Sequence, residues 1–270
     1  MSRFRAVIFD LGGTLVDKYS MTPLLSFQRV LQNHNLVCSH QTIIKDMGKE
    51  KREHISELLR TRENTERWLF RYGRKPQSSD CDKLFEEFTE IQREQTHHHL
   101  QILPETLESL RHLRDSGIKI GVTTGFSKEL MDIVRDKLSD EHIPVDEWVS
   151  STCLDLPGRP APHMIYELMR RFQITNPRSI LKVDDTNVGL LEGKNAGCLT
   201  MGVARWSINM NVRSLDEIRM VEENPEVYYE KLRRSRKQLH QSAPDYVIDS
   251  LRELRNLIES DNPEIKLIST

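Results

Sequence analysis

Several features that would assign a chain to a class at once are missing from these 270 residues. No apolar run approaches the roughly 20 residues of a membrane-spanning helix. Positive charge is not in excess: 39 Lys and Arg stand against 41 Asp and Glu, a formal net charge of −2. That leaves no electrostatic footprint for nucleic acid or an anionic membrane surface. The four cysteines, Cys38, Cys81, Cys153 and Cys198, form no CxxC pair and read as free thiols of a reducing compartment. No signal or transit pattern precedes the first apolar run. Together with the free thiols, this gives a cytoplasmic location as the expectation. There is no internal repeat and no low-complexity segment. His97-His98-His99 is internal and reads as an exposed helix end rather than a metal site, because adjacent histidines on a helix point in different directions.

What remains is a chain long enough for one large or two modest domains, 37% hydrophobic and 30% charged, with a heavily solvated helical surface. Ala6-Val7-Ile8-Phe9 is a short run of strand formers that stops at Asp10 and is followed by the turn signal Gly12-Gly13. It reads as a buried parallel strand with a carboxylate at its carboxyl end, the edge at which open α/β sheets bind ligands. From there to about residue 100 the pattern is helical. Thr22-Pro23 reads as an N-cap and first helical residue. Further helices are expected over about 39–47, 48–62, 64–73 and 79–99. The α/β alternation resumes at Pro104. Strands are expected at 118–122, 148–149, 179–183, 198–203 and 246–248, with a mostly charged helix over 213–240 and a closing helix over 250–258. This alternation predicts a doubly wound parallel sheet with a helical insert after the first strand.

Four of the expected strand or loop ends carry complementary polar groups. Asp10 offers a nucleophile, Thr124 a hydroxyl beside Gly125, Arg159 a fixed positive charge in a Gly/Pro-framed loop, and Asp185 a second carboxylate. Two converging carboxylates repel each other unless a cation such as Mg²⁺ lies between them, where it also neutralises phosphoryl charge. In the insert, helical spacing puts Met47, Lys51, His54, Ile55 and Leu58 on one face. Lys51 therefore sits on an apolar stripe, where desolvation lowers its pKa and leaves neutral amine able to attack an aldehyde.

These residues are the ones by which the chain resembles the haloacid dehalogenase superfamily and, within it, the phosphonatase branch. Phe9-Asp10-Leu11-Gly12-Gly13-Thr14 looks like the first superfamily motif, Thr124 the second, Arg159 the third and Lys182-Val183-Asp184-Asp185-Thr186 the fourth. The resemblance implies a Rossmann-like core over 1–17 and 101–270 and an inserted helical cap over 18–100. Superfamily phosphatases carry an aspartate two residues after the nucleophile as general acid; Gly12 cannot donate a proton, which argues against an ordinary phosphatase. The phosphonatase Schiff-base lysine lies in text matching Met47-Gly48 and Lys51 to His54. The implied activity is hydrolysis of the C–P bond of phosphonoacetaldehyde. Asp10, Lys51 and His54 would be catalytic, and Gly12, Met47, Thr124, Gly125 and Arg159 would bind the substrate. Mg²⁺ would be held by Asp10, the Gly12 carbonyl and Asp185. The implied partners are a small phosphonate and a second copy of the chain, with no nucleic acid and no membrane. The chain departs from the family pattern at Gly189, where the fourth motif usually has an acid, at Asp184, usually glycine, and at Phe126, a tyrosine in bacterial relatives. Ser20 stands where cysteine is common. Two alternatives stay open: a related phosphatase or phosphotransferase, and a catalytically impaired binding protein of the same fold.

Overall fold

A computed structural model of the chain describes residues 3–259, so 1–2 and 260–270 of the expected core lie outside the described residues. Six strands, β1 (Ala6–Phe9), β2 (Lys119–Thr124), β3 (Glu147–Ser150), β4 (Ile180–Asp184), β5 (Leu199–Val203) and β6 (Tyr246–Ile248), form one parallel sheet in the order β3-β2-β1-β4-β5-β6. The order reverses at β1, so the crevice beside its carboxyl end is the switch point where doubly wound sheets take ligands. Register fixes what gathers there. Phe9 pairs with Val122 of β2 and with Val183 of β4, so Asp10 falls level with Thr123 and Asp184.

Both faces of the sheet are covered, which is why the strands read as apolar runs rather than alternations. Val7 and Phe9 pack with α6 (Thr106–Asp115), α7 (Lys128–Asp140) and α12 (Leu254–Glu259), while Ala6 and Ile8 pack toward α8 (His163–Phe172). Between β1 and β2 the chain forms α1 (Met21–Asn33), α2 (His40–Lys45), α3 (Lys51–Arg60), α4 (Arg62–Tyr72) and α5 (Ser78–His99). Their apolar faces, with Phe27, Leu58 and Phe88 among them, share one cluster with Trp206, Ile208 and Met210 beyond β5. The two crossings into this helical block run side by side. The Asp17 N–H donates to the Gln101 carbonyl at 2.7 Å and the Leu103 N–H to the Leu15 carbonyl at 2.9 Å. Just beyond, Asp17, Tyr19 and Ser20 all adopt left-handed backbone, with φ of 59, 60 and 50°.

Three expectations need correction. Helix α1 starts at Met21, one residue before the expected N-cap Thr22. Proline is tolerated throughout a first turn, and the Asp17 carboxylate accepts the Thr22 N–H at 3.2 Å and its hydroxyl at 2.8 Å. Helix α3 starts at Lys51, not Gly48, because Gly48 takes a φ of 97° and the Glu50 side chain caps the N–H groups of Arg52 and Glu53. The charged stretch 213–240 is two helices, α10 (Leu215–Glu223) and α11 (Pro225–Leu239), parted at Asn224, whose side chain caps the second. Helix α9 (Asn187–Asn195) follows β4.

Candidate active site

At the switch point, Asp10, Asp184 and Asp185 are all buried, and each brings a carboxylate oxygen within 4.8 Å of the other two. Beneath them lies a charged network. Arg159 donates through Nη1 to Asp10 Oδ1 at 2.7 Å, and through Nη2 to the Thr123 carbonyl at 2.6 Å and hydroxyl at 2.8 Å. Its Nε pairs with Glu192 of α9 at 2.9 Å. Lys182, inside β4, lies 3.0 Å from Asp184 and 3.4 Å from Glu192 and donates to the Thr123 hydroxyl at 2.8 Å. Three buried carboxylates, Asp10, Asp184 and Glu192, thus pair with two buried cations, and Asp185 stands beside them with neither cation as an ion-pair partner among the described residues.

Burial and, after it, the excess of negative charge set the protonation. Burial and the neighbouring Asp10 and Asp184 push the Asp185 carboxyl well above the usual carboxylate range. Burial and Asp184 also raise Asp10, against the pull of Arg159 and Lys182. Asp184 is lowered: burial opposes its charge, but Lys182, Arg159 and the Thr186 hydroxyl outweigh it. Despite burial, Glu192, Asp10 and Asp184 hold the Arg159 guanidinium firmly charged. Asp185 Oδ1 has no hydrogen-bond partner among the described residues. An all-oxygen donor set, a surplus of negative charge and an orphaned buried oxygen fit a hard divalent cation such as Mg²⁺.

Above the carboxylates lies a cavity of about 20 Å³, lined by Asp10, Gly12, Thr124 and Gly125 from the sheet side and Met47 and Lys51 from the helical block. Ser20 and Phe126 line it too. Lys51 is buried, and its Nζ lies 5.8 Å from the ring centroids of both Phe27 and Phe126. Burial lowers its pKa to about 8, against the raising effect of Asp10. As the first residue of α3 it also meets the positive end of the helix dipole. The Thr124 hydroxyl accepts the Phe126 N–H at 3.1 Å.

Three expected site residues, Arg159, His54 and Asp185, lie outside the cavity lining. Arg159 sits below Asp10 with its guanidinium engaged as described, although the sequence reading places it on the substrate. His54 packs its ring 4.2 Å, centroid to centroid, from Phe27, and neither ring nitrogen has a side-chain hydrogen-bond partner among the described residues. Burial and Lys51 hold it neutral, well below the usual histidine range. Asp185 is also not in the lining, although it belongs to the carboxylate cluster. Sequence reasoning missed Thr123, Lys182 and Glu192. A lysine inside the apolar strand Ile-Leu-Lys-Val was a readable signal, since a buried cation needs a partner.

The helical block is docked on the site. A Cβ on Gly125 would meet the backbone oxygens of Lys49 at 2.6 Å and Gly48 at 2.8 Å, and one on Gly158 would meet Glu50 Cβ at 3.2 Å. The loop before α3 is therefore pressed against both.

Comparison with known proteins agrees with this geometry. The profile of haloacid dehalogenase-like hydrolases matches residues 7–203. A protein of Latilactobacillus sakei named phosphonoacetaldehyde hydrolase is 32% identical over 254 residues, 94% of each chain. One of the same name from Bacillus cytotoxicus is 31% identical over 263 residues, covering 95% of this chain and 96% of that one. The crystal structure of a phosphonoacetaldehyde hydrolase-like protein from Oleispira antarctica superposes with a TM-score of 0.88 at 25% identity, over 95% of this chain and 91% of that one. With a matching profile, a matching fold and carboxylates gathered at the sheet's switch point, the chain belongs to the haloacid dehalogenase-like hydrolase family.

Proposed function

We propose that this hydrolase cleaves the C–P bond of phosphonoacetaldehyde, giving acetaldehyde and phosphate. One observation carries the reading: a nucleophilic carboxylate, Asp10, and a lysine of lowered basicity, Lys51, face the same small cavity from opposite sides. A phosphatase needs no amine there. The names of full-length relatives support the same substrate.

The Lys51 amine adds to the aldehyde carbon and expels water, forming an imine that is protonated on nitrogen. An Asp10 oxygen then attacks phosphorus. The C–P bond breaks with its electron pair moving into the imine, which becomes an enamine, and the phosphoryl group is left on Asp10. Water attacks that phosphorus, releasing phosphate and regenerating Asp10. The enamine takes a proton on carbon, and a second water hydrolyses the resulting imine to acetaldehyde and free Lys51. One water is consumed overall. Without the imine the leaving group would be an unstabilised carbanion, so both residues are needed.

Thr124 and the Gly125 N–H orient phosphoryl oxygens. Arg159 acts through Asp10, fixing the attacking carboxylate and setting positive charge beneath it. Met47 walls the aldehyde side, and neutral His54, one turn along α3 from Lys51, assists proton movement. Bound by Asp10, Asp185 and the Gly12 carbonyl, Mg²⁺ would neutralise phosphoryl charge. Residues 18–100 act as a cap: about 20 Å³ holds roughly one water, so the block must lift for substrate to enter. A homodimer and a cytoplasmic location belong to the same proposal.

The test is release of acetaldehyde and phosphate with Mg²⁺, comparing wild type with Lys51→Arg, together with borohydride trapping of the imine. Turnover lost in the variant and trapping confined to Lys51 support the reading. Turnover that survives the substitution overturns the imine route.

A further inference from the structure

A second cavity, of about 250 Å³, lies on the seam between the helical block and the sheet. The proposed chemistry gives it no part, yet it adjoins the site: Met47 and Thr186 line both this cavity and the small one over Asp10. The partition between the two is close-set, since a Cβ on Gly48, next to Met47, would fall 2.7 Å from the Thr186 hydroxyl.

The walls of this cavity carry one sign of charge. Lys45, the last residue of α2, lines it from the helical block, and Arg234 of α11 lines it from the other side. Neither cation has a carboxylate partner among the described residues, and no Asp or Glu lines the cavity, although acids outnumber Lys and Arg in the chain. Asp46, beside Lys45, is engaged by Lys49 at 2.8 Å. The first turn of α9, with Asn187 and Val188, brings the positive end of a helix to the same wall. The field reaches His40 at the start of α2. Burial, and after it Arg213 with Lys231 and Arg234, lower its pKa against the pull of Glu217. The amides of Gln238 and Gln241 add donors to the lining. Unpaired cations facing one space from two sides, with no acid between them, draw an anion into it.

We propose that this cavity is a waiting site for a small doubly charged oxyanion, phosphonate on its way in or phosphate on its way out, held between Lys45 and Arg234. Met47 and Thr186 then form the threshold that the anion crosses to reach Asp10.

The two sources rest on the C–P hydrolase reading, but the site does not, so it is tested first without turnover. Inorganic phosphate is titrated calorimetrically into the full chain with Mg²⁺, for wild type, the neutral pair Lys45→Gln/Arg234→Gln and the charge-keeping pair Lys45→Arg/Arg234→Lys. Thermal midpoints are measured in parallel. The neutral pair is expected to bind phosphate about ten-fold or more weakly and with less dependence on salt, while the charge-keeping pair retains both. Crystals soaked in selenate locate the anion, expected between Lys45 and Arg234. Absence of phosphate binding in the wild type, unchanged affinity in the neutral pair, or selenate found only over Asp10 would overturn the site. Turnover of phosphonoacetaldehyde then separates the sources. A KM raised about ten-fold at unchanged kcat in the neutral pair assigns the cavity to arriving phosphonate. Unchanged KM with weakened inhibition by phosphate assigns it to leaving phosphate. If neither KM nor inhibition moves, the waiting role is overturned. A wild type that binds phosphate through these cations but leaves phosphonoacetaldehyde intact would sink the C–P reading alone.

Discussion

Arg159 Nε lies 2.9 Å from Glu192 Oε2, and that pair, deep beneath the nucleophile, ties the loop after β3 to helix α9. Glu192 also receives the Thr123 hydroxyl at 3.1 Å and faces Lys182 at 3.4 Å. Its charge therefore keeps two buried cations compensated. Glu192→Gln is expected to destabilise the protein by about 3–5 kcal/mol, the usual result of leaving a buried charge without its partner. Urea unfolding measures it; a loss below about 1 kcal/mol would show that Asp10 and Asp184 alone balance the two cations.

Lys51 gives a pH signature. The amine reacts only when neutral, and burial brings its pKa down to about 8. The rate of borohydride trapping with the aldehyde should therefore rise with pH and level off above about pH 8. A midpoint near the ordinary lysine value of 10.5 would mean that the amine is solvated when it reacts.

Gly125 tests the docking of the helical block. In Gly125→Ala the new methyl would meet two backbone oxygens, at 2.6 and 2.8 Å, and backbone cannot swing aside as a side-chain tip can. Lys51 would be displaced with the loop that precedes it. The expected outcome is a fall of about ten- to a hundred-fold in kcat/KM. Thermal stability should change little, since the sheet is untouched. Unchanged kinetics would show that the loop need not seat closely.

Asp17, at the crossing into the helical block, gives stability a pH dependence. Burial raises its pKa from 3.8 to about 7, against hydrogen bonds from Thr22 and Met21. The folded protein thus holds this proton more tightly than the unfolded chain does. Stability is unpenalised below about pH 4, falls as pH rises toward 7, and carries the full penalty, roughly 4 kcal/mol, above that. Asp17→Asn cannot ionise. Its stability relative to wild type should therefore improve between pH 4 and pH 7, as followed by urea melts at each pH. A constant difference would show that Asp17 does not titrate in that window.

The sheet was legible in the sequence because each strand is a short apolar run ending in a polar residue or a turn signal. Asp10, Thr124 and Asp185 were legible as those ends. Lys51 was legible from helical spacing, although α3 begins at Lys51 and Met47 lies in the loop before it; both still reach the cavity because Gly48 folds that loop back onto Thr186. Glu192 was not legible. An acid in Leu-Leu-Glu-Gly-Lys reads as solvated helix surface, and only the packing of α9 against β4 and β5 reveals that it is buried. Arg159 was legible as a charge but not in its partners, which come from distant parts of the chain. The break at Asn224-Pro225 carried its own signal, an asparagine cap before a proline, inside a run whose charge pattern reads as continuous helix.

A Cβ at residue 189 would overlap the Asp184 carboxylate. Two positions that share one volume are not substituted independently. A side chain at 189 requires the Asp184 carboxylate to leave the place where Thr186 and Lys182 hold it. Substitutions at 184 and 189 are therefore read together, by the volume they share.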